Sequence, residues 1–326
     1  MLHKALGEKP QKMEVLQFEG GQSNPTFRLT LGQSSYVMRK QPPGPLLASA
    51  HQVDREYRVM AALRKSAVPV PEMIMLCEDP EPIGVSFYVM EYVEGRVFDD
   101  VSLPNLEPAE RQGIYQHLID VLVELHRVDY REVGLEAFGR EGNYYARQIS
   151  RWSKQYRASK TVEISEMDSL MEWLPNQIPN DDTTSIVHGD FRLGNLIIHP
   201  VEPRVAAVLD WELSTLGHPL ADLSYHCQSY LRQYEEGSLN SLDLKSLGIP
   251  TEAEQVERYK ARSGCGEIRH WTFYVVYNLF RTAAIIQGVY KRGLEGNASS
   301  RQAALEYKDT CQVLAKQAWD LVDETP

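Results

Sequence analysis

Three polar residues, set along two short apolar runs, form the part of this chain best suited to chemistry. Asp190 and Asn195 lie five residues apart in Ile186-Val-His-Gly-Asp-Phe-Arg-Leu-Gly-Asn195, and Asp210 closes the run Val205-Ala-Ala-Val-Leu-Asp-Trp-Glu212. The layout suits phosphoryl transfer: one carboxylate holds the acceptor hydroxyl, while an amide and a second carboxylate hold Mg²⁺. Asp190 would accept a hydrogen bond from an alcohol and take its proton during transfer. Arg192, further along the same loop, could stabilise charge on the γ-phosphoryl oxygens. Asn195 and Asp210 offer oxygen ligands, and Mg²⁺ takes the remainder from phosphates and water. Glu212 could add a contact through a water on the metal.

These residues must converge, and the flanking pattern supplies the means. Ile186-Val187, Leu196–Ile198 and Val205–Leu209 read as short strands, and Pro200 and Pro203 mark a turn between the last two. If those two pair antiparallel, the start of the first lies beside the end of the second. Asn195 then neighbours Asp210, with Asp190 in the loop just ahead. His188 reads as a brace for that loop.

In this order the residues resemble the aminoglycoside phosphotransferase and choline kinase superfamily of small-molecule kinases, and the resemblance runs along nearly the whole chain. It implies an α+β, protein-kinase-like fold of two lobes: a small, mainly β N-lobe over residues 1–95 and a larger, mainly helical C-lobe over 96–326. It also implies ATP as phosphoryl donor, with Mg²⁺. Gly20-Gly-Gln-Ser-Asn24 resembles the nucleotide-loop hairpin, so that Gly21, Ser23 and Asn24 would face the phosphates. Tyr36-Val-Met-Arg39 resembles the strand with the phosphate-binding cation. Strand alternation puts Arg39 and Lys40 on opposite faces and favours Arg39 for that role. Glu56 would pair with the cation from a helix over 51–65, whose apolar face carries Val53, Tyr57 and Met60. Phe87-Tyr-Val-Met-Glu-Tyr-Val-Glu-Gly95 resembles the last N-lobe strand and the hinge. Met90 would close that strand, and the Glu91 carbonyl and Val93 N–H would bond an adenine edge. Asp222, in Gly217-His-Pro-Leu-Ala-Asp222, would fix the catalytic loop by hydrogen bonds.

Two departures from the superfamily pattern bear on the nucleotide end. Arg39 stands where lysine is usual, and it can pair bidentately with phosphate oxygens or with Glu56. The Gly-Gly-Gln-Ser-Asn loop differs from the G-x-G-x-x-G of protein kinases. The blocks Arg39–His51 and Leu209–Pro219 are similar to one branch, which includes the kinase-like domain fused to some acyl-CoA dehydrogenases. That branch implies a hydroxy acid or hydroxyacyl-CoA as acceptor. The alternatives are an aminoglycoside or other amino-alcohol or sugar, and, in a different class, a nucleotide-binding module without catalysis. A protein kinase is disfavoured, because Gly217-His-Pro219 arrives only seven residues past Asp210 and leaves no room for an activation segment.

Bulk properties narrow the partners. The 326 residues hold 34 basic and 45 acidic side chains, a formal charge of −11, which argues against nucleic acid. No apolar run is long enough to span a membrane, and the start of the chain carries no apolar signal core, so the expected location is cytoplasmic. Cys77, Cys227, Cys265 and Cys311 are scattered, without the spacing of a disulfide framework or zinc site.

Beyond Arg96 the pattern is helical. Ile114, Leu118, Val121, Leu122 and Leu125 form one apolar stripe ending at His126, which reads as a packed histidine. Arg147, Arg151 and Lys154 fall on one face of a helix within 139–160, beside Tyr144, Tyr145, Trp152 and Tyr156. That face is either a solvated surface or a site for an anionic substrate head. Pro219–Tyr234 reads as a helix, with Tyr225, His226, Tyr230 and Tyr234 either bordering the acceptor or packing in the core. Two long helices, about 267–291 and 299–323, complete the chain.

Overall fold

The computed structural model describes residues 5–7, 12–18, 24–42, 52–231, 238–298 and 300–324. Gly21, Ser23, most of the branch block before His51, and Tyr234 lie outside the described residues.

Alternating apolar side chains build the first sheet. Strands β1 (Met13–Gln17), β2 (Thr26–Leu31), β3 (Ser34–Lys40), β4 (Met73–Cys77) and β5 (Phe87–Glu91) pair antiparallel in the order β1-β2-β3-β5-β4. Val37, Tyr88 and Met90 face the main core, whereas Leu29, Phe87 and Val89 form a small cluster with Phe27, Tyr36 and Met38 on the opposite face. Helix α1 (Val53–Leu63) covers the main-core face and buries Val53, Glu56, Val59, Met60 and Leu63. Each apolar side chain so buried stabilises the fold by about 1.5–3 kcal/mol. Tyr57 sits at the margin of this stripe, tilted against the Tyr88 ring.

The sheet is joined to the rest of the molecule by a close backbone approach. Arg96 pairs with Ile198 in both directions, N–H to carbonyl, at 2.7 and 2.8 Å. A Cβ on Gly95 would meet the Ile198 carbonyl oxygen at 2.4 Å, so only glycine allows this contact.

Helices dominate from there: α2 (Pro108–Arg127), α3 (Tyr144–Ser159), α4 (Ser165–Asn176), α5 (Leu220–Cys227), α6 (Leu244–Leu247), α7 (Glu252–Ser263), α8 (Trp271–Glu295), α9 (Arg301–Glu306) and α10 (Thr310–Asp323). The α2 stripe of Ile114, Leu118, Val121, Leu122 and Leu125 is buried. Helix α8 is buried along most of its length against α10, α3 and α5. Two small antiparallel sheets lie between these helices: β6 (Ser185–Val187) with β9 (Thr215–Gly217), and β7 (Leu196–Ile198) with β8 (Val205–Val208). The molecule is thus α+β and two-lobed, with a small sheet lobe and a larger helical one.

Three element boundaries differ from expectation. The helix expected over Pro219–Tyr234 ends at Cys227 and passes into a 3₁₀ turn, Gln228–Tyr230. The helix expected at about 267–291 runs Trp271–Glu295. The last helix is broken into α9 and α10 by tight turns in which Lys308 N–H bonds Leu305 O and Thr310 N–H bonds Tyr307 O. No helix among the described residues is long and apolar enough to cross a membrane.

Candidate functional site

The loop from His188 to Asn195 joins β6 to β7, and its backbone is held from below by Asp222. One Asp222 oxygen accepts the His188 N–H at 2.6 Å and the other accepts the Gly189 N–H at 2.8 Å. His126 Nε2 lies 3.4 Å from the same carboxylate, and its Nδ1 lies 2.8 Å from the Tyr259 hydroxyl. Burial by itself would raise the Asp222 carboxyl, but His126, His188 and the Gly189 N–H outweigh it and hold the group below the usual carboxylate range. Gly189 adopts φ 84°, and a Cβ there would lie 2.6 Å from the Leu213 carbonyl oxygen.

His188 braces the same loop. Its Nδ1 accepts the Asp190 N–H at 3.2 Å, and its Nε2 lies 2.9 Å from the Leu209 carbonyl. That pattern assigns the proton to Nε2. The ring therefore ties Asp190 to the residue preceding Asp210.

The β7–β8 hairpin brings the two halves of the motif together. Leu196 pairs with Val208, and the Leu209 N–H donates to the Asn195 carbonyl at 2.9 Å. Asn195 Nδ2 donates to the Asp190 backbone oxygen at 2.8 Å and to its Oδ2 at 2.7 Å. With the amide nitrogen so engaged, its carbonyl oxygen is the atom left for a cation. An amide oxygen and the Asp210 carboxylate make an all-oxygen donor set, which fits Mg²⁺. Arg192 is half exposed, its Nε 3.5 Å from Asp190 Oδ2. Asp210 itself holds a left-handed conformation, φ 66°.

Arg39 reaches this site from the sheet. Its Nη2 donates to Asp210 Oδ1 at 2.7 Å and lies 3.6 Å from Glu212. Its Nε stands 3.3 Å from Glu56 Oε2, an ionic contact not aligned as a hydrogen bond. Glu56 is fully buried and accepts from Asn24 Nδ2 at 2.9 Å and from the Tyr88 hydroxyl at 3.0 Å. Burial pushes Glu56 up to about 7, against the opposing pull of Arg39.

Between the lobes lies a cleft of about 260 Å³ lined by Phe18, Val37, Arg39, Met90, Glu91, Val93, Ile197 and Asp210, among others. Its walls are apolar at the Met90–Val93 end and charged at the Arg39–Asp210 end. A larger cavity, about 640 Å³, lies between α2 and α7 around Gln112, Gln116 and Arg258, and contains none of the motif residues.

The structure brings together Asp190, Arg192, Asn195, Asp210, Arg39 and Glu56, with Met90, Glu91 and Val93 lining the adjacent cleft. Lys40, the other candidate phosphate cation on this strand, points to the opposite face of the sheet, its Nζ 5.8 Å from the centre of the Phe27 ring. Asn24, expected to face the phosphates, is buried and supports Glu56. The basic face of α3 is divided. Arg147 donates to the backbone oxygens of Gly142 and Arg140, while Arg151 lies over Trp152 and Lys154 is exposed. His226 and Tyr230 are core residues, and the Tyr230 hydroxyl bonds the Pro250 carbonyl.

Sequence reasoning missed one residue beside the loop. Arg281, on α8, donates through Nη2 to the Gly189 carbonyl at 2.6 Å. Its polar character inside a long apolar run was the available signal.

The chain is similar to several known proteins. Residues 14–271 match the phosphotransferase enzyme family. Mouse acyl-CoA dehydrogenase family member 10 is 48% identical over 311 residues, covering 94% of this chain and 29% of that protein. Human acyl-CoA dehydrogenase family member 11 is 42% identical over 325 residues, covering 98% of this chain and 41% of that protein. The chain thus spans less than half the length of these curated relatives. Among solved structures, a "putative aminoglycoside phosphotransferase" of Ralstonia eutropha is 47% identical, with TM-score 0.89 over 97% of this chain and 94% of that one. A thermostable mutant of the aminoglycoside phosphotransferase APH(4)-Ia, in complex with ADP and hygromycin B, shares the fold at TM-score 0.63 and 16% identity, over 97% of each chain.

Proposed function

This chain belongs to the phosphotransferase enzyme family, and from that premise we propose that it moves the γ-phosphoryl group of ATP to a hydroxyl of a small molecule, with Asp190 as the base. The observation that carries this reading is the meeting of Arg39 and Asp210 at one end of the interlobe cleft, with Asn195 bonded both to Asp190 and to the residue before Asp210. The apolar end of the cleft would take adenine, with the Glu91 carbonyl and Val93 N–H at its edge. Arg39 would turn toward the phosphates.

Asn195 and Asp210 would hold Mg²⁺, which when bound neutralises charge on the transferring group. Asp190 is oriented by the Asn195 amide and would accept the hydroxyl proton as the acceptor oxygen bonds to the γ-phosphorus. The bond from that phosphorus to the bridging oxygen breaks, and ADP leaves. Arg192 would face the charge that develops on the phosphoryl oxygens.

The acceptor is a hydroxy acid or hydroxyacyl-CoA in this reading. Support comes from the relatives named as acyl-CoA dehydrogenase family members. It also comes from the arginine beside Asp190, since a polycationic aminoglycoside would meet Arg281 at the loop.

The test is ADP formation with Mg²⁺–ATP over a panel of hydroxy acids, hydroxyacyl-CoA thioesters, aminoglycosides and amino alcohols. Asp190→Asn should lower turnover by about 10²–10⁴-fold, the range for loss of a general base, and leave ATP binding intact. Tight ATP binding without turnover on any acceptor would instead identify a binding module.

A further inference from the structure

Arg281 is only 6% exposed, and among the described residues no carboxylate lies within ion-pairing distance of its guanidinium. A buried cation without a paired anion is costly, and such groups are retained where something else compensates them. What surrounds Arg281 compensates only in part. The Gly189 carbonyl accepts from Nη2. The guanidinium carbon lies 5.2 Å from the centre of the Tyr225 ring and 5.8 Å from that of Trp152. These contacts leave donors of the guanidinium fork to spare.

The groups around it are mostly aromatic. Burial would lower the pKa of Arg281, but Tyr277, Tyr144, Tyr225 and Asp190 outweigh burial and raise it, so the side chain stays charged. Asp190 acts through space and is not an ion-pair partner. Tyr144 and Arg151 come from α3, Tyr225 from α5, and Tyr277 from α8 itself. Arg151, which is exposed, lies with its guanidinium carbon 5.1 Å from the centre of the same Trp152 ring. Trp152 thus carries two cations, one buried and one exposed.

We infer that Arg281 binds acyl oxygens of the phosphoryl acceptor, of a carboxylate or of a thioester carbonyl, and so selects hydroxyacyl compounds over plain alcohols and cationic sugars. This rests on the kinase reading above and narrows it. The guanidinium bonds the carbonyl of Gly189, the residue before the base. An acceptor held by Arg281 would thus present its hydroxyl to Asp190 from a fixed direction, with Trp152 and Tyr225 flanking its carbon chain.

Three acceptor classes separate the sources of that oxygen: short hydroxycarboxylates, their CoA thioesters, and alkanols of matching length without an acyl group. In Arg281→Met, kcat/KM for the acyl acceptors should fall about 10–100-fold, the value of a charge-assisted hydrogen bond. Transfer to the alkanols, which also loses whatever the bond to Gly189 contributes, should fall less, so the acyl-to-alkanol ratio should drop. Arg281→Lys should recover part of the loss. If the Met variant does not fold, the same acyl-to-alkanol ratio measured in Arg281→Lys decides. A loss shared equally by every acceptor and by ATP hydrolysis would mean that Arg281 only supports the loop, and would overturn the inference.

A binding readout separates this from the kinase reading. Trp152 lies over Arg281, so hydroxycarboxylate titrated into Asp190→Asn should change tryptophan emission. Trp152→Phe should abolish that change, and Arg281→Met should weaken the binding. Those results would support the acyl site even if no acceptor were turned over. Binding unaffected by Arg281→Met would reject it, whatever the kinase assay showed.

Discussion

Arg39 of the sheet lobe and Asp210 of the β7–β8 hairpin are joined by a 2.7 Å hydrogen bond. One guanidinium therefore spans Glu56, Asp210 and Glu212. A metal ion binding Asp210 would have to displace Arg39 from it, and a nucleotide phosphate would have to draw Arg39 away from the same carboxylate.

Removing that cation should destabilise the protein. Arg39→Met leaves Glu56 buried without its partner, and loss of one member of a buried pair costs about 3–5 kcal/mol. Chemical denaturation measures this. The double variant Arg39→Met, Glu56→Gln should recover much of the stability without restoring turnover. Arg39→Lys should fold well but raise the KM for ATP, because a single ammonium cannot span three carboxylates.

The pH dependence follows from Glu56. Burial raises it from 4.5 to about 7, with repulsion from Asp210 and Glu212 added and Arg39 opposing. Between those values the folded protein keeps a proton that the unfolded chain has released. Stability from this group is therefore full below about 4.5 and declines as pH rises to about 7. The ionised Glu56 that orients Arg39 is lost in the opposite direction, as pH falls through about 7. The KM for ATP should improve from about pH 6 to about pH 8 while the melting temperature moves the other way, and Glu56→Gln should flatten both curves.

Asp222 contributes through the loop backbone. Asp222→Ala leaves the His188 and Gly189 N–H groups without their acceptor, at about 1–3 kcal/mol for each buried group. Urea titration should show a loss of that order, and kcat should fall far more than the KM for ATP changes. Because the Asp222 carboxyl is depressed, its contribution is full above the ordinary carboxylate range. It is lost as pH falls through the lowered value.

Gly95→Ala tests the junction between the lobes. Its methyl would meet Ile197 Cγ2 at 2.3 Å and the Ile198 carbonyl oxygen at 2.4 Å. Overpacking of this kind costs about 1–3 kcal/mol, so thermal melting should shift down. The KM for ATP should rise, since Gly95 also lines the cleft.

Much of the site could be read from local pattern. The hairpin that sets Asn195 beside Asp210 has two apolar runs and two prolines to announce it. The opposite facing of Arg39 and Lys40 follows from strand period alone. What escaped was short or distant. Strand β9 has three residues, too few to show a period, yet it pairs with β6 below the His188–Asn195 loop. Asn24 sits next to a glycine-rich loop and so resembles a phosphate contact, but a buried Glu56 claims its amide. Arg281 lies in a helix whose apolar run masks it. Its role depends on which loop that helix packs against, and local pattern does not carry that information. The break between α9 and α10 has no glycine or proline to mark it.

The paired backbones of Arg96 and Ile198 tie the segment that follows the sheet to the β7–β8 hairpin. Asn195 lies three residues before Ile198. Arg39 belongs to the sheet lobe, whereas Asp190, Asn195 and Asp210 belong to the other side of the junction. Any shift of the sheet about this contact would move Arg39 relative to the three of them together, so the cation can be repositioned without altering how Asn195 orients Asp190.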